Sequence, residues 1–105
     1  MVRPNRTKPI YIQISEWLET EILKGTFGVH DKVYSQYQLA DRFTINPATA
    51  AKGLTRLAEE GILYDKRGLG KFVSPDAIKI IRHKRKNYVV KKLMKEIVQE
   101  GLYLN

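Results

Sequence analysis

Apolar residues recur at helical intervals in four stretches of the chain, and the gaps between them carry residues that start and stop helices. In the first stretch Tyr11, Ile14, Leu18 and Ile22 share one face. Pro9 sits at the first turn, and Gly25 follows Lys24 where a left-handed residue closes a helix, so the spacing predicts a helix from Pro9 to Lys24. Trp17 lies beside that stripe and is expected in packing, because a large aromatic mainly supplies buried area. Thr26 to Tyr34 reads as a loop with a short extended stretch near Val33. Ser35 then opens a second helix, with Gln38 completing a capping-box pair and Leu39, Ala40 and Phe43 forming the apolar side.

The third stretch, Ile45 to Ser74, reads INPATAAKGLTRLAEEGILYDKRGLGKFVS. Asn46 is a strong N-cap, Pro47 fits the first helical position and Gly61 marks the end, which predicts a helix from Pro47 to Glu60. Ala50, Leu54, Leu57 and Ala58 form its buried stripe, and Ala48, Thr49, Lys52, Thr55, Arg56 and Glu59 point elsewhere; of these Lys52 and Arg56, one turn apart, are expected to reach base edges or phosphates. The strand-like run Ile62 to Tyr64 leads to a basic turn, where Gly68 and Gly70 are flanked by Lys66, Arg67 and Lys71, and then to a second strand. Two short helices joined at Thr44 and Ile45, followed by a basic hairpin, make a winged helix-turn-helix. In that arrangement the third helix enters a major groove and the second crosses the backbone, with the N–H groups of Ser35, Gln36 and Tyr37 facing a phosphate.

In the fourth stretch Ser74 and Pro75 repeat the cap-then-proline signature, and a helix is predicted from Pro75 to Glu100. Val89, Val90, Leu93, Met94, Ile97 and Val98 form an apolar stripe beyond a domain that is already complete, so the stripe is expected to pair with a second copy. Arg82, His83, Lys84, Arg85 and Lys86 are expected on a solvated face. The fold class is therefore mainly α with a small β-hairpin. Residues 1–8 form a basic arm, 9–75 a winged helix domain and 76–105 a helical dimerisation segment.

Charge narrows the choice of partner. Lys and Arg outnumber Asp and Glu 19 to 11, giving a formal net charge of +8, so an anionic polymer such as double-stranded DNA is favoured. The absence of cysteine excludes disulfide and thiolate chemistry and fits a cytoplasmic protein. No run is long and apolar enough for a membrane span or the core of a signal peptide. His30 and His83 have no ligand pattern around them, and no nucleophile and base can be paired, so catalytic residues, metal and cofactor are all expected to be absent. The segment past the wing is too short to enclose a sizeable effector pocket unaided. No effector is identified by these residues. An RNA-binding or protein-interaction winged helix module is the alternative reading.

PIYIQISEWLETEILKGTF at Pro9, YSQYQLADRF at Tyr34, INPATAAKGLTRLAEEGIL at Ile45 and RGLGKFVS at Arg67 together resemble the GntR family of bacterial transcription regulators, and within it the small YtrA-like branch. The resemblance implies a winged helix dimer on a palindromic operator, most often repressing, with a short helical C-terminal segment for dimerisation. Members of the branch often control transport genes. It also implies DNA contacts at Ser35, Tyr37, Asn46, Ala48, Thr49, Lys52, Arg67, Gly68 and Gly70. The chain departs from the family at Tyr34, Gln36 and Tyr37, where proline, glutamate and arginine are usual, and at Pro47 and Ala51, where many members have arginines. Thr49 and Lys52 are thereby expected to carry more of the base reading. The branch's usual second C-terminal helix has no counterpart between Gly101 and Asn105.

Overall fold

The computed structural model describes residues 8–100, and side chains through residue 97. The order is α1 (Ile10–Leu23), α2 (Gln36–Phe43), α3 (Pro47–Glu59), β1 (Leu63–Lys66), β2 (Gly70–Val73) and α4 (Ala77–Glu100). Of the expected arm at residues 1–8, residues 1–7 lie outside the described residues, and Lys8 is paired with Glu16 of α1 at 3.0 Å.

Local chemistry sets the helix ends. Ser35 and Gln38 form the full capping box of α2, and Asn46 Oδ1 accepts from the Ala48 N–H at 2.7 Å to start α3. At the far end of α3, Gly61 takes a positive φ of 80°. The Gly61 and Ile62 N–H groups then donate to the carbonyls of Ala58 and Leu57, which satisfies acceptors that a helix end leaves open.

The core joins one face of each helix to the base of the hairpin. Ile14, Leu18, Ile22, Leu39, Ala50, Leu54, Leu57, Ile62, Leu63 and Val73 are buried together with Ala77 and Ile81 of α4. Each of the larger side chains contributes about 1.5 to 3 kcal/mol relative to exposure. α1 and α3 approach closely at Gly53, where an added Cβ would lie 2.9 Å from the Tyr11 carbonyl oxygen. Trp17 packs edge-on against Phe43 and stacks with Tyr34, as a packing role requires.

β1 and β2 pair antiparallel with Leu63 opposite Val73 and Lys66 opposite Gly70. The extended stretch near Val33 is tied to β2. The Val33 N–H donates to Lys71, and the Val73 N–H donates to Asp31, both at 3.0 Å. That pairing holds the start of α2 beside the wing.

α4 differs from expectation in two respects. It starts at Ala77 rather than Pro75; the Ser74 hydroxyl donates to the Gly61 carbonyl oxygen at 2.6 Å, and the Ala77 N–H donates to the Ser74 carbonyl oxygen rather than to its side chain. Lys84 and Arg85 are not on a solvated face. The Lys84 ammonium donates to Glu19 Oε2 at 2.6 Å and to Glu60 Oε1 at 2.9 Å, and Arg85 donates to Thr20 Oγ1 and the Glu16 carbonyl oxygen. Glu19 is only 2% exposed. A buried carboxylate needs such partners, since burying an unpaired charge costs several kcal/mol.

Candidate nucleic-acid interface

The wing tip is a tight turn in which the Leu69 N–H donates to the Lys66 carbonyl oxygen at 2.9 Å. Gly68 and Gly70 take φ values of 76° and 120°, conformations that side-chain-bearing residues rarely adopt. Lys66, Arg67, Gly68 and Leu69 are exposed there. The Lys66 ammonium sits 4.7 Å over the Phe72 ring, and Lys71 is paired with Asp65 at 2.6 Å. Both charges stay near the surface, where such pairing is weak and leaves them available to phosphate.

The first turn of α2 and the flank of the wing share a cleft of about 260 Å³, lined by Ser35, Gln36, Tyr37, Gly70 and Lys71 among others. Tyr37 is 70% exposed. Ser35 differs from expectation: its N–H donates to Gln38 Oε1 at 2.9 Å and its hydroxyl accepts from the Gln38 N–H at 3.1 Å. An anion at this helix start would therefore meet the N–H groups of Gln36 and Tyr37. Lys32, in the stretch that reads as a loop, lines the same cleft. Only its pairing with β2, opposite Phe72, puts it there, and no local motif signals that contact.

On α3, Ala48 and Lys52 are exposed and Thr49 is half-buried. The Lys52 ammonium rests 4.2 Å from the Tyr11 ring centroid, so the side chain is held against α1 until something better is offered. Asn46 is exposed, with its side-chain oxygen engaged as a cap. Arg56 is a correction: rather than facing outward, it donates to Ser15 Oγ at 2.6 Å and is half-buried against α1. The buried Ser15 hydroxyl gives it a site against α1 that periodicity alone does not distinguish from an outward one.

Beyond Arg85, α4 leaves the domain. Val89 is 61% exposed and Leu93 55%, with Val90 and Met94 similar. Ile97 is half-buried, and the side chain of Val98 lies outside the described ones. α4 also forms an open groove of about 660 Å³ with α1 and α3, lined by Glu16, Glu19, Arg56, Lys84, Arg85 and Tyr88 among others. A second, equally open hollow of about 560 Å³ lies along α4 itself, beside Tyr88, Lys91, Lys92, Lys95 and Glu96, where the segment past the wing is expected to enclose no sizeable pocket unaided. Among the described residues no three of His, Cys, Asp and Glu cluster to hold a metal ion, and no helix is long and apolar enough to cross a membrane.

This arrangement of capped helices and basic wing matches a known family model, that of bacterial regulatory proteins of the gntR family, over residues 10–73. The chain belongs to the GntR family. It is 31% identical over 102 residues to the HTH-type transcriptional repressor YtrA of Bacillus subtilis, covering 97% of this chain and 78% of that one. A GntR family transcriptional regulator from Listeria monocytogenes superposes with a TM-score of 0.81 at 30% identity, over 95% of this chain and 90% of the other. The DNA-binding domain of AraR, solved in complex with operator ORX1, superposes with a TM-score of 0.63 at 26% identity, over 70% of this chain and 92% of that domain. Several other curated relatives are far longer, this chain spanning from 13% to 33% of them. This GntR chain is a winged helix DNA-binding transcription regulator and not an enzyme.

Proposed function

We propose that this regulator represses transcription as a homodimer on a palindromic operator. The observation that carries the proposal is the division of α4. Ala77 and Ile81 close the core, while Val89, Val90, Leu93 and Met94 stand exposed further along. Leaving such side chains in water forgoes about 1.5 to 3 kcal/mol each, which pairing with a second copy restores. A two-fold pairing through residues 76–105 also supplies two recognition helices about 34 Å apart, the spacing that successive major grooves require. Support comes from YtrA, named as a repressor, and from the AraR domain solved on its operator.

In this reading Ala48, Thr49 and Lys52 meet base edges, and Gln36 and Tyr37 meet the backbone. Lys66, Arg67 and Lys71, with the wing backbone at Gly68 and Gly70, hold flanking phosphates. Ser35 and Asn46 keep the two helix starts in place. Arg56 is left out because Ser15 already engages it. On the resemblance to the YtrA-like branch alone, the regulated genes include those for transport.

Selection of bound sequences from a random duplex pool, with structured RNA as competitor, tests the proposal. The expected product is a palindrome whose half-sites lie one helical turn apart, bound at least 10³-fold more tightly than random duplex. RNA that competes as well as the selected duplex, or enrichment of single unpaired half-sites, would contradict it.

A further inference from the structure

The groove between α4 and the domain is crossed by one side chain that touches two other helices. Lys84 reaches the buried Glu19 of α1 at 2.6 Å and, at 2.9 Å, Glu60, which caps the C-terminal end of α3. Arg85 beside it reaches α1 through Thr20 and the Glu16 carbonyl oxygen. From Tyr88 to Glu96 every residue of α4 is exposed. The direction in which the apolar stripe leaves the domain is therefore fixed by Ile81 in the core and by this pair of cations. Lys84 ties that direction to the recognition helix itself.

We infer that Lys84 is a positioning residue that sets which half-site spacing the dimer accepts, by clamping α4 to the end of α3. The inference rests on the homodimer proposed above. The stripe centre at Leu93 lies about 20 Å along the helix from Ile80, at 1.5 Å per residue. A swing of about 10° on that lever moves the far end by about 3.5 Å, close to the ~3.4 Å rise of one base pair. A loosely held α4 would thus let the two recognition helices drift by a base pair relative to each other, and a clamped one does not. The carboxylate that grips Lys84 on α1 is almost fully buried, so screening by salt weakens this contact less than a surface pair.

The test uses the full chain, a selected palindrome, and duplexes in which the half-sites are moved apart by single base-pair steps. Lys84→Met is expected to remain a dimer in sedimentation and to bind a duplex holding one half-site as the parent does. Its preference for the selected spacing over the altered ones should fall by about 5-fold or more. Glu60→Gln, which leaves Glu19 paired and the core undisturbed, should reduce that preference in the same direction and serves if Lys84→Met fails to fold. A dimer whose spacing preference is unchanged in Glu60→Gln and in folded Lys84→Met overturns the clamp and leaves the homodimer standing. A parent chain that sediments as a monomer overturns both.

Discussion

In α3 the apolar side, Ala50, Leu54 and Leu57, is buried and both helix ends are closed by the chain itself, whereas beyond Arg85 the apolar side of α4 stands in water. Both helices are amphipathic, and the difference lies in what each leaves outside. α3 turns Ala48, Lys52 and Thr55 outward, with Glu59 only at its far end, a surface whose first turns suit an anionic groove. The second half of α4 turns valine, leucine and methionine outward, a surface suited to another copy of itself. One fold thus presents two surfaces of opposite chemistry, and the polar contacts of Lys84 and Arg85 lie between them.

Salt separates the two surfaces most strongly. If the α3 and wing surface meets phosphates, a dimer making about 6 to 10 such contacts loses about 10³ to 10⁵ in affinity between roughly 50 and 200 mM salt, while its self-association through apolar side chains changes little. Titrations at several ionic strengths check this, and Arg67→Ala should lower the slope of log affinity against log salt by about 1 per contact removed. Equal salt sensitivity of binding and dimerisation would remove the distinction between the two surfaces.

A smaller effect sharpens the claim that α3 is complete within one chain. Gly53→Ala puts a Cβ 2.9 Å from the Tyr11 carbonyl oxygen, and backbone cannot yield as a side chain does. A loss of about 1 to 3 kcal/mol is expected, read as a lower Tm in thermal unfolding. Smaller again is the cap: Asn46→Ala removes the acceptor for the Ala48 N–H and should cost about 1 kcal/mol. Unfolding in denaturant measures that cost, and no change in midpoint would show that the cap is dispensable.

How much of this was legible from residue order follows the same division. The starts of α2 and α3, the glycine that ends α3 and the wing turn depend on neighbours within a few positions, and they stand where Ser35, Asn46, Gly61 and Gly68 place them. Apart from the Ser35 N–H, which Gln38 three positions on engages, the departures come from long-range contacts. Arg56 finds Ser15 from 41 positions away and Lys84 finds Glu19 from 65, distances at which helical periodicity says nothing about which polar residue turns inward. The Ser74 hydroxyl is drawn to the Gly61 carbonyl oxygen 13 positions back. Lys32 joined the wing cleft only through pairing with β2. Of the candidate site, the exposed α3 positions and the wing tip were readable, and the packing of Arg56 was not.

Sedimentation of the parent chain against Leu93→Asp tests the central claim most directly, because Leu93 stands 55% exposed on α4 and has no place in the core. The account predicts a parent of about twice 12.2 kDa and a variant at the mass of one chain, still folded. A parent that sediments as a single chain, or a variant that remains a dimer, would contradict it.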